Sequence, residues 1–174
     1  EFFVKHGVSG VFEQASPVSP HSDYEHLKGY LIARALWNPT VDWRHLYDEF
    51  LELYYREAAP FIREYHELIT SKVRSDGYVL GIFSPMEWMD YDTVVQAEEI
   101  FHRAFASAQD ESTKERLKYA YLPVQYSALV CPPKVEFTGR AYILTRPPSQ
   151  TFDEYWSMLM AYGVTHLQDT AISG

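Results

Sequence analysis

The chain has 174 residues, 47% hydrophobic and 16% aromatic, and carries a formal charge of −9. That apolar content suffices for one packed domain and excludes a disordered segment. The negative surface repels nucleic acid and anionic membranes, because no basic patch offsets it.

The stretch GVSGVFEQAS, Gly7–Ser16, opens the chain as an apolar, strand-like run through Val8, Val11 and Phe12 that ends on Glu13 and Gln14. Two prolines in SPVSPHSD then close it off as a loop. Ser22 and Glu25 have capping-box spacing, so a first helix is predicted there, with Leu27, Tyr30, Leu31 and Trp37 at helical spacing and Asn38-Pro39 as its stop. Asp42 suits the N-cap of a second helix whose inner face is Trp43, Leu46, Phe50 and Leu53. Pro60 fits the first turn of a third, with Phe61, Ile62, Tyr65, Leu68 and Ile69 as its stripe.

Gly-punctuated Ser75–Pro85 reads as an extended connection. A fourth helix is expected over Tyr91–Ala108, with Val94, Ala97, Phe101 and Phe105 inward. A fifth follows Asp110 and contains Leu117, Tyr121, Val124 and Leu129, with Pro123 inside it. RAYILTR reads as a short strand or arm, Thr151 and Glu154 as a capping box for a last helix, and Gly163 as that helix's end. The expected core is Leu31, Trp37, Phe50, Phe61, Tyr65 and Phe101. Lys114–Lys118, interleaved with Glu111 and Glu115, reads as a solvated helix face.

No phosphate-cradling loop, H-E-x-x-H, paired cysteine ligands or nucleophile elbow is present, and the seven scattered histidines do not suggest a metal site, so no cofactor or metal is expected. Cys131, being single, permits no intrachain disulfide and reads as a buried thiol. No apolar run approaches the roughly 20 residues of a bilayer span, so no membrane insertion is expected. The chain opens on Glu1 with no signal-peptide pattern and reads as truncated at its N-terminus. If Gly7–Phe12 is a strand of an α/β barrel, Glu13 stands at its site-bearing end, where it could act as a general acid/base or hold sugar hydroxyls. The other reading of Glu13 is a surface carboxylate in a turn. The aromatic side chains could dock sugar rings, although most lie at core-like helical spacing.

The Leu27–Asp42 pattern LxxYLxARxLWNPxxD and the Glu49–Tyr65 run EFLxxYYxxAAxxIxxY, together with GVSGVFEQ, resemble the C-terminal region of an uncharacterised bacterial family, a domain of unknown function attached to glycoside-hydrolase-like TIM barrels of polysaccharide-degrading bacteria. A helix ending in Trp-Asn-Pro similarly follows the barrel of bacterial α-glucuronidases. The resemblance covers about the first 70 residues. It departs at Arg56, where the family has a Gly that would permit a left-handed turn.

The resemblance implies a mainly α domain of five or six helices over residues 21–174, prefaced at residues 1–20 by the terminal strand and loop of an upstream (β/α)8 barrel. The chain would then be a fragment of a carbohydrate-active protein that is secreted, periplasmic or at the cell surface. It would support the barrel and form one wall of a sugar site, with Glu13 as the catalytic candidate and Gln14 and His21 as substrate-binding candidates. As a fragment it would be inactive by itself. The alternative is a non-catalytic helical module that binds a protein or glycan.

Overall fold

A computed structural model describes residues 2–12, 24–79, 89–131, 134–144, 148–164, 166–167 and 170–171. Among these, a four-residue helix α1 (Phe2–Lys5) precedes six longer ones: α2 (Glu25–Trp37), α3 (Trp43–Tyr55), α4 (Ala59–Ser75), α5 (Tyr91–Ser107), α6 (Glu111–Val130) and α7 (Pro148–Ala161). The chain is mainly α-helical, as the apolar spacing predicts. Short antiparallel pairs join β1 (Val135–Phe137) to β2 (Tyr142–Leu144) and β3 (His166–Leu167) to β4 (Thr170–Ala171).

The helix starts follow local chemistry. Asp42 accepts from the Arg44 amide, Asp90 from the Thr93 amide and Asp110 from the Thr113 amide, so three helices begin on an aspartate that satisfies an otherwise orphaned N–H. The start of α2 differs from the capping-box expectation. Tyr24, in a left-handed conformation, holds its N-cap position, and the Glu25 carboxylate instead accepts a hydrogen bond from the Tyr119 hydroxyl on α6 at 3.1 Å; Ser22 lies outside the described residues. Helix α7 starts at Pro148, three residues ahead of Thr151, because proline suits a first turn whose N–H has no helical acceptor. Its end is as expected: the Gly163 amide donates to the Met160 carbonyl and the Val164 amide to Leu159, a left-handed glycine closing the last turn. Asp76-Gly77 closes α4 the same way, so Ser75–Gly77, predicted to open an extended connection, belong to the helix end, and residues 80–85 of that stretch lie outside the described residues.

Helices α3–α6 enclose the main core, centred on Leu51, Ile62, Tyr65, Phe101, Leu117 and Val124. Phe101 is fully buried, with its ring 5.1 Å from Tyr65 and 5.0 Å from Tyr121. Leu122, Tyr155, Leu159 and Val164 form a second cluster between α6 and α7. Of the expected core residues, Tyr65 and Phe101 are buried, while Leu31, Phe50 and Phe61 are half-buried. Trp37 is 91% exposed. It stands at the free end of α2, which packs along α3 and is fastened to the rest of the bundle toward its N-terminus, by Tyr24, Glu25 and Tyr30. Trp43 and Leu53, predicted inward, are also exposed. Trp43 lies in the first turn of α3, at the rim of its neighbours, and Leu53 lies at the edge of a stripe that runs through Leu46, Phe50, Leu51, Tyr54 and Tyr55. Cys131 is half-buried rather than buried, because it caps the exposed end of α6.

Gly7–Phe12 leaves α1 through a glycine turn and runs as irregular backbone, pairing with no strand among the described residues. Val8 and Phe12 are exposed there. Lys114 and Lys118 pair with Glu111 and Glu115 on the solvated face of α6, as read from the sequence.

Between α3 and α4, Arg56 takes φ 50 and ψ −121, a conformation that glycine adopts freely and a Cβ opposes. The chain therefore turns at positive φ on an arginine, whose guanidinium reaches Asp110 at 3.0 Å. Strain of about 1–3 kcal/mol exceeds what an exposed ion pair returns, about 0–1 kcal/mol. Arg56→Gly should therefore stabilise the chain by about 1 kcal/mol, raising Tm by about 2–4 °C; a fall in Tm would mean that the ion pair dominates. Phe101→Ala should cost about 3–5 kcal/mol and Trp37→Ala no more than about 0.5 kcal/mol, both measurable by denaturant unfolding.

Candidate functional site

The predicted site residues Glu13, Gln14 and His21 lie outside the described residues. Among those described, two surface clefts are prominent, and their chemistry is opposite.

The first lies where α2, α3 and α4 meet. The stripe of α4 carries Ile62, His66, Ile69 and Val73 at helical spacing, so a histidine occupies a position where an apolar side chain would serve packing alone. His66 Nδ1 is 2.9 Å from the Tyr47 hydroxyl of α3. The bond closes in either tautomer, since one accepts from the hydroxyl and the other donates to it. Burial holds the His66 pKa below its ordinary value, with Glu67 opposing that shift and Arg74 adding to it. Burial likewise pushes the Tyr47 phenol up, so at neutral pH both partners are uncharged.

This pair sits between aromatic walls. Tyr24 packs its ring 4.9 Å from His66, and its hydroxyl donates to the Ile62 carbonyl at 3.4 Å. Trp43 also lines the cleft, with the Arg44 guanidinium 4.7 Å above its ring. An apolar chamber of about 480 Å³ opens beneath, floored by Leu27, Leu31, Ile69 and Val73, with Lys28 and Arg74 at its rim. A polar extension of about 410 Å³ shares Trp43, Tyr47 and His66 and adds Arg63, Asp48 and Glu67. Arg63 is ion-paired with Asp48 and lies over the Tyr47 ring at 5.4 Å, which fixes Tyr47 from its outer side. An apolar chamber with a few converging polar groups is the ordinary form of a small-molecule site.

The second cleft, a broad furrow of about 1020 Å³ between α4 and α5, is lined by Glu64, Glu67, Asp90, Asp92, Glu98 and Glu99. Lys72 bridges Asp76 and Asp90 at 2.8 Å each, and with Thr93 it holds the Asp90 carboxyl down at about 2. Among the described residues no group of three or more His, Cys, Asp or Glu side chains is arranged to hold a metal ion, and no helix is long and apolar enough to cross a membrane.

Residues 1–67 match the family described as Domain of unknown function (DUF4838). No curated protein and no solved structure matches the chain. The matched segment contains Tyr24, Leu27, Lys28, Trp43, Tyr47 and His66, so most of the α2–α3–α4 cleft is built from it. Sequence reasoning did not find this cleft, because Tyr47 and His66 are 19 positions apart on separate helices. The available signal was His66 itself, a titratable ring on the apolar stripe of α4.

Because burial lowers the folded-state pKa of His66, the folded chain binds fewer protons than the unfolded one between that pKa and about 6.5. Stability from this group is present above pH 6.5 and is lost as pH falls through the lowered value. Thermal melts from about pH 7.5 to about pH 5.5 should show a smaller fall in Tm for His66→Gln than for the parent chain; parallel curves would show that His66 is not desolvated.

Proposed function

We propose that this chain is the helical C-terminal part of a glycoside-hydrolase-like, carbohydrate-active protein, in which it supports a (β/α)8 barrel and lends one wall to a sugar site. The observation that supports the reading best is the α2–α3–α4 cleft. Its aromatic faces at Tyr24 and Trp43 suit the flat face of a sugar ring, and the Tyr47–His66 pair and rim cations offer hydrogen bonds to its hydroxyls. Of the motifs that carry the resemblance to barrel-associated domains, Leu27–Asp42 contributes Leu27, Lys28 and Leu31 to that cleft, and Glu49–Tyr65 contributes Arg63 to its polar extension.

The cleft by itself lacks the means to hydrolyse a glycoside. Glycosidases of the usual type place two carboxyl groups about 5–10 Å apart across the bond. Of the two described carboxylates here, Asp48 is tied to Arg63 and Glu67 is exposed on the rim. The 174-residue chain should therefore bind oligosaccharide, with amide shifts at Trp43, Tyr47 and His66, and release no reducing ends. Turnover abolished by a point change within the chain would refute the assignment. In a full-length protein that carries the barrel, Glu13→Gln should lower activity without lowering Tm, whereas a surface-turn Glu13 would leave both unchanged.

A second reading rests on a separate observation. Ile32, Leu36 and Trp37 at the free end of α2 are exposed, an apolar face that suits a protein surface rather than a sugar. In this reading the chain is a non-catalytic helical module, and Trp37→Glu should abolish partner binding while leaving saccharide binding intact.

A further inference from the structure

The charge on the α2–α3–α4 cleft carries the sugar-site reading a step further. The chain is acidic overall, at −9. Its α4–α5 furrow follows that bias, with six carboxylates against Lys72 and Arg103 as its only lysine and arginine among the described lining residues. The α2–α3–α4 cleft reverses it: Lys28, Arg44, Arg63 and Arg74 face two carboxylates, Asp48 and Glu67. Asp48 is already engaged by Arg63. The apolar chamber itself is lined by Lys28 and Arg74 with no carboxylate among its described lining residues. Among the described residues Lys28, Arg44 and Arg74 take part in no ion pair.

Such segregation matters because cations gathered around one concave face sum their fields there, an attraction that salt weakens. Arginine adds a planar fork that meets a carboxylate or sulfate through two parallel hydrogen bonds. A neutral sugar would use the aromatic walls and leave these cations idle; a sugar that also bears an anionic group would use both.

We infer that the α2–α3–α4 cleft selects an acidic saccharide, one whose ring packs against Trp43 and Tyr24 while its carboxylate or sulfate is held by Lys28 and Arg74. The inference rests on the sugar-site reading above and adds the charge of the ligand to it.

Isothermal titration of the 174-residue chain with galacturonic acid trimer, a sulfated galactose trimer and neutral galactotriose tests it. At least one anionic trimer should bind at least about tenfold tighter than the neutral one, a difference of about 1.4 kcal/mol. Raising salt from about 20 mM to about 300 mM should remove most of that advantage. The double variant Lys28→Gln and Arg74→Gln, at two exposed positions, should bind all three trimers alike with Tm unchanged. Whichever anionic trimer binds tighter identifies the group, and either result supports the inference. Equal binding of acidic and neutral trimers by the parent chain would overturn the inference and leave the sugar-site reading standing. Absence of binding by all three would overturn both. Preference for the anion that survives the double variant would place it elsewhere and overturn the assignment to this cleft.

Discussion

The packing of Tyr65 against Phe101 fixes α4 on α5, and the rest of the molecule is arranged around that contact. Both side chains are buried, and their rings meet edge to face, the favoured geometry for aromatic pairs. Once α4 is held, its Tyr65 side belongs to the core and its neighbouring side, carrying His66, Ile69 and Val73, is left to meet α2 and α3. The cleft thus continues the margin of the core, which Ile69 of α4 and Tyr47 of α3 also touch. Ion pairs at the margins, Arg103 with Glu64 and Lys72 with Asp90, join α4 to α5 but are exposed and contribute little beside the buried rings.

Helix α2 is the element least determined by the core. Leu27 is its one buried residue, and its ties to the bundle lie toward its N-terminal end: Tyr24 to α4, Glu25 to α6 and Tyr30 to Glu49 of α3 at 3.0 Å. A helix fastened this way leaves its last turns standing free, which accounts for the exposed Leu36 and Trp37 better than any local propensity. The same attachment brings Leu27, Lys28 and Leu31 over the cleft, so α2 forms part of the site with its fastened half and presents an apolar surface with the other.

Helix α4 was legible from Pro60 in its first turn and its apolar stripe, and α3 and α6 because two local signals agree there. Aspartates stand at the N-caps of α3 and α6, and the apolar spacing that follows is 3.6-residue. What spacing cannot tell is how far a neighbouring helix extends. Trp43 sits at the correct phase and is still exposed, because phase specifies direction and burial requires something in that direction. Arg56 illustrates the converse. Its residue type argues against a turn at positive φ, and the turn forms anyway, since the packing of α3 and α4 on either side over-determines it. The site was hidden for a third reason: its groups come from three helices, and each helix by itself reads as ordinary amphipathic pattern.

That third reason also separates the two roles assigned to the aromatic residues. A count of fourteen tyrosines and four tryptophans says nothing about sugar binding. Tyr65 and Phe101 are core, and their rings hold α4 against α5. Tyr24, Trp43 and Tyr47 differ in what lies next to them: a half-buried histidine, an apolar chamber, and the cations Lys28, Arg44 and Arg74, which take part in no ion pair among the described residues. A structural aromatic needs only apolar neighbours. Aromatic rings placed beside unpaired cations around an open chamber are arranged for something that brings both a flat face and a charge, and on an acidic chain such a combination does not follow from composition.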